Sequence, residues 1–289
     1  MTEDAAPRGT AVDVVLWPDG PWPELRERWL LAERWGLRRG WLWDHLDLGG
    51  RPVWHDAWTV LAAAAATTSR IGLGTMVTSP NFRHPVTAAK AALALDAVSG
   101  GRFVLGVGAG GPGVDSDALG GGPWTPAERA ERFREWVELG DDLLSRDRVT
   151  SSGRWFGARD VALGGGPSRR VPLAVAATGP RGLALAAARA DLWITQDVAR
   201  AGRTAWEEVR RQSAALDEAC ARSGREAGSL SRLVVLGYGD ERPLDSVEAF
   251  RDAAGRYAAL GFGTVAVLWP TGARSRERLA VLEDVAARG

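Results

Sequence analysis

The stretch from Arg39 to Gly111 decides the fold. It contains three β-rich runs, RRGWLW (38–43), IGLGTMVTS (71–79) and RFVLGVGAGG (102–111), and an alanine-rich helical segment separates each pair. Each run ends in a polar or glycine-rich tip, which is where parallel β/α folds carry their functional groups. The three tips are Asp44-His45, Thr75–Ser79 and Gly106–Gly111.

The same alternation of strand and helix patterns extends outward to both ends of the chain and gives eight β/α units. The predicted strands are Val12–Leu16, Arg39–Trp43, Ile71–Val77, Arg102–Val107, Val171–Ala177, Asp191–Thr195, Arg232–Leu236 and Thr264–Leu268. The predicted helices are Pro23–Trp35, Ala57–Thr68, Pro85–Val98, Pro126–Ser145, Pro180–Ala190, Thr204–Ser223, Ser246–Leu260 and Ser275–Ala287. Eight units close most simply into one (β/α)8 TIM barrel over residues 1–289, with a flexible segment at 1–10. A doubly wound open sheet, which needs fewer units, is the alternative.

Two segments interrupt this rhythm and are predicted insertions, one after strand 4 and one before strand 5. The loop Gly108–Thr125 is rich in Gly, Pro and Asp, and the segment Asp147–Arg170 contains GRWFGARDVALGGG, which could form a short hairpin. Loops of this length in a compact domain are usually lids or binding loops, with flexible surface insertions as the alternative. Because both flank the fourth unit, we expect them over one side of the barrel mouth.

Composition excludes several classes of function. The 36 basic and 36 acidic residues cancel, so no net field would attract nucleic acid or an anionic membrane. Cys220 is the single cysteine, which rules out an intramolecular disulfide. The acidic start of the chain lacks the apolar core of a signal peptide, and Ala57–Thr68 is too short to span a membrane. We therefore predict a cytoplasmic protein that acts on a small molecule and whose alanine-rich helices would allow a homodimer.

The scarcity of some residue types narrows the chemistry further. Lys90 is the single lysine and lies within a predicted helix, so a Schiff-base mechanism is not expected. A metal hydrolase needs several strand-end histidines, and His45 alone has that position, so no metal site is predicted. A glycosidase needs two facing carboxylates, and Asp44 and Asp197 remain candidates. A barrel that keeps a ligand pocket without catalysis is a further alternative.

The tip after the second strand combines a carboxylate with an imidazole. Asp44 and His45 follow GWLW directly, and either side chain could transfer a proton near neutral pH. An Asp-His pair elsewhere is more often a helix cap or a surface histidine, but the position at a strand end favours a catalytic pair. We predict His45 as proton donor or acceptor and Asp44 as the residue that orients it or bonds a cofactor.

The tip after the third strand, TMVTSP, places the hydroxyl groups of Thr75 and Thr78 beside the apolar side chains of Met76 and Val77. This mixture suits a flat aromatic ligand with a polar edge. A strand end followed by a simple turn is the alternative. We predict all four residues to contact a cofactor.

Two further tips contain glycine. GVGAGG at 106–111 superficially matches a dinucleotide-binding fingerprint, but a Gly/Pro/Asp loop follows it where that fingerprint needs a helix. We interpret these glycines as allowing a close approach of backbone to a bound ring or phosphate. TGPRG at 178–182 runs straight into a predicted helix, whose N–H groups and dipole favour a phosphate, with plain capping as the alternative. The predicted cofactor-binding residues of these two tips are Gly108, Ala109, Gly110, Thr178, Gly179, Pro180 and Arg181.

The segments WLWDHL (41–46), TSRIGLGTMVTSPNFRHPVTAAKAALALDAVSGGRFVLGVGAGG (68–111) and VPLAVAATGPRGLALAAARADLWIT (171–195) resemble the luciferase-like monooxygenase superfamily, especially its members that depend on coenzyme F420. The resemblance runs through nearly the whole chain. It implies a barrel that binds F420 or FMN at the carboxyl ends of the strands and transfers a hydride to or from the ring. An FMN-dependent monooxygenase that uses O2 is the alternative within the superfamily.

The resemblance also implies roles for individual tips. Asp44 and His45 match an Asp-His tip that contacts the ring and substrate and handles protons. The bond between Met76 and Val77 matches a cis peptide behind the ring, and the fourth and fifth tips match stretches that hold the ribityl chain and phosphate. One position departs from the pattern, because sugar-phosphate dehydrogenases of this superfamily have a glutamate where this chain has Gly111. That particular activity is therefore not expected.

Overall fold

The computed structural model describes residues 10–49, 53–163 and 170–287, so residues 1–9 of the predicted flexible start lie outside the described ranges. The ten strands found in these ranges are β1 (Ala11–Leu16), β2 (Arg39–Leu42), β3 (Gly72–Thr75), β4 (Phe103–Gly108), β5 (Val149–Ser152), β6 (Gly157–Val161), β7 (Leu173–Ala176), β8 (Leu192–Gln196), β9 (Ser231–Leu236) and β10 (Thr264–Leu268). The α-helices are α1 (Trp22–Trp35), α2 (Ala57–Thr67), α3 (Pro85–Ser99), α4 (Val114–Asp117), α5 (Pro126–Ser145), α6 (Pro180–Arg189), α7 (Ala205–Arg222), α8 (Val247–Ala258) and α9 (Ser275–Ala287). None of these helices combines the length and apolar character that a membrane span requires.

Eight of the strands form a closed parallel barrel, which confirms the predicted TIM barrel over the open sheet. Around the barrel the order is β1, β2, β3, β4, β7, β8, β9 and β10, and β10 pairs with β1 in parallel to close the ring. The remaining two strands, β5 and β6, form an antiparallel hairpin outside the barrel. This hairpin lies in the predicted insertion before the fifth barrel strand, of which residues 164–169 lie outside the described ranges.

The third barrel strand is shorter than predicted. Its ladder ends at Thr75 rather than Val77, and the peptide bond between the next two residues, Met76 and Val77, is cis. A single bridge between Thr78 and Val107 resumes the pairing beyond the cis bond. The predicted cis peptide is therefore present, and the β3 tip bulges at this point.

Two helices begin one residue later than predicted because their first predicted residue is a cap. Thr204 and Ser246 have extended backbones, and their side chains accept hydrogen bonds from the amides of Glu207 and Ala249. Such caps satisfy an N–H group that the first helical turn leaves without a partner. Most other boundaries shift by one or two residues, as helix and strand ends commonly do.

The inside of the barrel is filled by side chains, with Trp41 the largest of them. A Cβ atom on Gly74 would lie 2.4 Å from the Trp41 ring, so the ring occupies space that only a glycine leaves. The indole N–H of Trp41 donates to the fully buried Asp13 at 2.9 Å, and Arg38 pairs with the same carboxylate at 3.0 Å. The interior residues that pack with Trp41 are Val15, Met76, Val104, Ala174, Leu192, Ile194, Leu233, Val235 and Ala266. The centre of the barrel is therefore packed with side chains and is not an open channel.

Helix α5 fixes the two insertions against the barrel. The Glu135 carboxylate accepts hydrogen bonds from three consecutive backbone amides at the turn of the β5–β6 hairpin, those of residues 154–156. Arg132 is buried, stacks 3.4 Å from the ring centre of Trp124 and donates to the Pro80 carbonyl at 2.9 Å. The end of the first insertion is thus attached to the loop that follows β3.

Two glycines after the start of β4, one crowded and one not, provide a test of the packing between β3 and β4. A Cβ atom on Gly106 would lie 1.9 Å from the Thr75 carbonyl oxygen, whereas a Cβ on Gly111 would meet no atom within 4 Å. We expect Gly106→Ala to lower the free energy of unfolding by about 1–3 kcal/mol, the usual cost of overpacking. Gly111→Ala should leave it within about 0.5 kcal/mol. Urea unfolding followed by circular dichroism measures both, and equal stabilities would contradict the packing described here.

Candidate functional site

The site is organised around the carboxylate of Asp44, which follows β2 and is 1% exposed. Its two oxygens accept four hydrogen bonds: from Trp58 Nε1 at 2.8 Å, from Thr78 Oγ1 at 2.7 Å, and from Arg83 Nη2 at 2.8 Å and Nε at 3.0 Å. Trp58 belongs to α2, while Thr78 and Arg83 lie in the loop after β3. The carboxylate therefore ties the tip of β2 to the tip of β3 and to the start of α2.

Arg83 neutralises this buried charge and extends the network. Burial alone would lower the pKa of Arg83, but its hydrogen bonds to Asp44 and Asp56 outweigh the burial and raise that pKa above its ordinary value. Asp56 also caps α2 by accepting from the Thr59 amide at 2.8 Å. The oxygens of Asp44 are thus engaged by protein donors, and its position in the structure is that of an anchor for the tip that carries His45.

His45 is the neighbour of Asp44 in the chain, but it contacts a different carboxylate. Its Nδ1 lies 2.5 Å from Oδ2 of Asp115, and the Leu46 amide donates to Oδ1 of the same residue at 2.8 Å. Asp115 belongs to the short helix α4 in the insertion after β4. The carboxylate beside the imidazole is therefore that of Asp115, while Asp44, which was predicted to orient His45 or to bond a cofactor, contacts Trp58, Thr78 and Arg83.

The β3 tip lies next to this pair, and its polar groups are used within the protein. The buried Thr75 hydroxyl donates to the Gly106 carbonyl at 2.7 Å, while that of Thr78 donates to Asp44. Val77 occupies the space beside Gly108, where a Cβ atom would lie 2.6 Å from its methyl group. The cis Met76–Val77 unit thus packs against β4, and a glycine at 108 is what makes room for it.

An apolar floor with an aromatic wall forms the mouth of the barrel. The side chains that form the floor are Trp43, Val77, Ala176 and Leu268, which are partly buried and pack on the interior cluster. Trp43 also stacks on Tyr238, with 5.2 Å between ring centroids and 13° between planes. Tyr238 is 37% exposed as a residue, but removal of its phenol from water, together with the nearby charge of Asp197, raises the pKa of that phenol, so its hydroxyl stays protonated and able to donate.

The tip after β4 lies against the loop after β3. Gly110 has a φ of 70°, and a Cβ there would lie 2.6 Å from the Asn81 side chain. Asn81 Nδ2 donates to the Gly111 carbonyl at 2.9 Å, which fixes the start of the insertion. The predicted tips after β2, β3, β4 and β7 thus occupy neighbouring strands along one half of the rim.

The tip after β7 ends at the amino terminus of α6. Gly179 is the N-cap, and no side chain caps the helix, so its first N–H groups stay available. Pro180 and Arg181 are exposed there. A second arginine, Arg211 of α7, donates to the Thr178 carbonyl at 3.3 Å. This arrangement can bind an anion such as a phosphate group.

Glu208 holds Arg211 beside this helix end. Its carboxylate accepts from Arg211 at 2.7 Å and from Arg203 at 2.7 Å, although it is only 2% exposed. The hydrogen bond from Arg211, helped by Gln212 and Arg203 and opposed by burial, lowers the pKa of Glu208 to about 2. Sequence reasoning missed Arg211 because it lies on the next helix and in no motif, and an arginine three residues after a buried glutamate was its only signal.

Asp197, the second carboxylate of the glycosidase alternative, is fully buried at the end of β8. It accepts from the Gly237 and Tyr238 amides, both at 3.0 Å, and burial raises its pKa despite these bonds. Strand β8 lies four strands from β2 in either direction around the barrel. Because Asp44 and Asp197 each use their oxygens within the protein and follow strands on opposite sides of the barrel, these two residues do not form the free facing pair that glycoside hydrolysis requires.

The chain is a closed parallel β/α barrel whose polar and glycine-rich tips lie at the carboxyl ends of the strands, which is where enzymes of this fold have their active sites. The family model described as luciferase-like monooxygenase matches residues 3–277, and the chain belongs to this family.

Two curated relatives show how the similarity is distributed. An F420-dependent glucose-6-phosphate dehydrogenase of Beutenbergia cavernae is 36% identical over 213 residues, which are 72% of this chain and 61% of that protein. An F420-dependent hydroxymycolic acid dehydrogenase of Mycobacterium tuberculosis is 34% identical over 176 residues, 57% of this chain and 46% of that protein. The matched part of the chain therefore spans less than two thirds of the length of either relative.

Among solved structures, an F420-dependent secondary alcohol dehydrogenase in complex with an F420-acetone adduct has the same fold. It superposes with a TM-score of 0.81, covers 98% of this chain and 100% of its own, and is 18% identical. At this level of identity the comparison supports the barrel architecture alone.

Removing the charge of Asp44 should destabilise the protein strongly. Asp44→Asn removes the buried anion that pairs with the partly buried Arg83. Breaking a fully buried pair typically costs about 3–5 kcal/mol, and because Arg83 is 25% exposed and keeps Asp56 we expect a loss of about 2–3 kcal/mol. Glu218→Gln is a matched control, since the exposed pair of Glu218 with Arg222 contributes at most about 1 kcal/mol. Denaturant titration of both variants measures the difference, and a stability of Asp44→Asn close to that of the control would contradict the anchoring role.

Glu208 predicts a pH dependence of stability. Its pKa is lower in the folded protein than the 4.5 of an unperturbed glutamate, so it stabilises the fold above about pH 4.5 and loses that contribution as the pH falls toward about 2. We expect the stability difference between the parent protein and Glu208→Gln to be largest above pH 4.5 and to shrink toward pH 2. Urea unfolding at several pH values measures this, and a constant difference would refute it.

Proposed function

We propose that this protein is an oxidoreductase that binds coenzyme F420 in the barrel mouth and exchanges a hydride between that cofactor and a small apolar organic molecule. The observation that carries the proposal is one arrangement: an apolar floor beside the cis Met76–Val77 tip, with an uncapped helix end at Gly179 on the same half of the rim. A flat ring and its phosphate tail need these two features together.

The floor fits a tricyclic ring. Val77, Ala176 and Leu268 offer aliphatic surface, and Trp43 adds an aromatic edge. A planar ring placed on these side chains would bury apolar area, which contributes roughly 25 cal/mol per Å². The absence of a side chain at Gly108 keeps the Val77 bulge close to β4, so that the floor stays continuous from β3 to β7.

The helix end fits the phosphate of such a cofactor. A Cβ atom on Gly179 would meet nothing within 4 Å, so there is open space in front of the first N–H groups of α6. Arg181 is exposed beside this end, and Arg211 is held next to Thr178 by Glu208. Two arginines and a helix dipole supply the positive potential that a phosphate requires.

The names of the relatives favour F420 over FMN. Both curated relatives described above carry F420 dependence in their names and are more than 30% identical in the matched region. When bound, a deazaflavin accepts or releases a hydride. The residues of this chain then hold the ring, exclude water from it and transfer the proton that accompanies the hydride.

His45 is the residue that we assign to that proton. In oxidation of an alcohol, the hydroxyl proton would pass to its Nε2 while the carbinol hydride leaves to the cofactor, and reduction of a ketone reverses both movements. General acid–base catalysis of this kind contributes about 10²–10⁴-fold. Asp44, whose oxygens are engaged by Trp58, Thr78 and Arg83, serves in this proposal as the anchor that positions His45.

The rim supports an apolar substrate. Of the six large apolar side chains that are exposed in the described ranges, five lie in segments that follow barrel strands at the mouth, four of them on loops and Val114 on α4, and one, Val98, lies on α3. The five mouth residues are Leu46, Val53, Val114, Leu119 and Tyr238. Gly111 brings no acidic side chain to this rim. These features favour a neutral apolar alcohol, ketone or aldehyde over a sugar phosphate.

Cofactor binding tests the proposal directly. Titration of the purified protein with oxidised F420 and, separately, with FMN should give an affinity for F420 at least about tenfold higher. Arg181→Gln should weaken F420 binding by about tenfold because it removes a charge beside the phosphate. Arg222→Gln, which changes an exposed arginine at the end of α7, is the matched control. Fluorescence quenching of F420 is the readout.

Turnover completes the test. A panel of secondary alcohols with increasing apolar area should bleach F420 absorbance, whereas glucose 6-phosphate should not. Binding of neither cofactor would contradict the proposed function. Binding of FMN with substrate-dependent oxygen consumption would replace it with the monooxygenase alternative.

A further inference from the structure

We propose that Asp115 is the positioning residue of His45: it fixes the tautomer and orientation of the imidazole so that Nε2 is the nitrogen that exchanges a proton. The catalytic part of this inference rests on the proposed function. The structural part concerns the state of the ring in the protein alone.

The geometry specifies which ring nitrogen carries the proton. Asp115 Oδ2 lies 2.5 Å from His45 Nδ1, and an ionised carboxylate can only accept a hydrogen bond. Nδ1 is therefore the protonated nitrogen of the neutral ring, and Nε2 carries the lone pair. Within residues 10–49, 53–163 and 170–287, Nε2 has no hydrogen-bond partner, which leaves it available to a substrate hydroxyl.

Asp115 holds the backbone of the tip as well as the ring. Its second oxygen accepts from the Leu46 amide at 2.8 Å, so one carboxylate binds two consecutive residues of the β2 tip. The Asp115 side chain is 16% exposed and that of His45 is 36% exposed. The interaction is therefore shielded from water on the carboxylate side and open on the side of the imidazole.

The segment that carries Asp115 is itself held at several points. The Ser116 hydroxyl, on a residue that is 3% exposed, accepts a hydrogen bond from the Gly113 amide at 3.2 Å. Asn81 holds the Gly111 carbonyl at the start of the insertion, and the buried Arg132 stacks on Trp124 near its end. These contacts restrict the positions that the carboxylate can take.

Other carboxylates near the mouth do not offer this contact. The oxygens of Asp44 are engaged by Trp58, Thr78 and Arg83, and Asp197 accepts from backbone amides after β9. Asp117, two residues along α4, accepts from the Ser116 hydroxyl at 2.7 Å. Asp115 is thus the carboxylate of this insertion that reaches the imidazole.

In the proposed reaction, His45 and Asp115 would act as a pair, one taking the proton and the other compensating the resulting charge. When Nε2 takes the hydroxyl proton of an alcohol and the carbinol hydride leaves to the cofactor, the imidazole becomes a cation directly beside the Asp115 anion. Without that carboxylate, the neutral ring can hold its proton on Nε2, where it cannot accept another. Turnover should then fall on the order of 10²-fold while substrate and cofactor still bind.

Nuclear magnetic resonance of histidine ring nitrogens tests the structural part without any cofactor. The chain has three histidines, so a sample labelled with 15N-histidine gives few signals, and His55→Gln and His84→Gln assign them. We expect the neutral ring of His45 to carry its proton on Nδ1 in the parent protein. Asp115→Asn and Asp115→Ala should shift it toward the Nε2-protonated form, whereas Asp115→Glu should retain part of the Nδ1 form.

Asp117→Asn is the matched control, because it removes the same charge from the same short helix and keeps an acceptor for Ser116. It should leave the tautomer of His45 unchanged. An unchanged tautomer in both Asp115→Asn and Asp115→Ala would overturn the inference whether or not F420 binds. An equal change in Asp117→Asn would also overturn it, since the effect would then be a general loosening of α4.

Kinetics separate this inference from the proposed function. Asp115→Asn should lower kcat on the order of 10²-fold and change KM and the F420 dissociation constant by less than about threefold. A fall confined to KM would overturn the positioning role. If the tautomer changes as expected but the parent protein binds neither F420 nor FMN, the proposed function fails while Asp115 still controls the ring.

Discussion

The arrangement of the mouth depends on one buried charge. Asp44 accepts four hydrogen bonds from Trp58, Thr78 and Arg83, which joins the ends of two barrel strands and the start of a helix. A carboxylate removed from water is tolerated only when its oxygens are engaged and its charge is compensated. Arg83 provides that compensation. Asp44 is therefore held in place, and with it both the next residue, His45, and the β3 tip that contains the cis Met76–Val77 bond.

The filled interior of the closed barrel is the reason that the proposed function is placed at its mouth. Trp41 fills the interior in space left by Gly74, and the fully buried Asp13 accepts from its indole N–H. A filled interior leaves the loops after the strands as the surface on which a ligand can lie. Four neighbouring strands then supply the imidazole, the bulged tip, the glycine turn at Gly110 and the helix end at Gly179.

Sequence patterns predicted the features that depend on residues close together in the chain. Eight strand runs, the cis bond after Met76 and the helix start at Pro180 follow from short motifs or from resemblance, and the structure contains them. Sequence could not predict contacts that join distant loops: His45 meets Asp115 across 70 positions, and Arg211 meets Thr178 across 33. Sequence also could not show that Thr75, Thr78 and Asp44 have hydrogen-bond partners within the protein, because Gly106, Asp44 and Arg83 lie tens of residues away from them in the chain.

The pairing of β4 with β7 has a consequence for how this mouth can diversify. Leu105 pairs directly with Leu173, so the chain between these strands, with α4, α5 and the β5–β6 hairpin, lies outside the barrel ladder. Helix α5 packs its buried face on the barrel, so the part of the connection that is free to vary is the segment between β4 and α5. Since that segment carries Asp115, which contacts His45, a change in its length or sequence alters the surroundings of the imidazole while every barrel hydrogen bond stays in place.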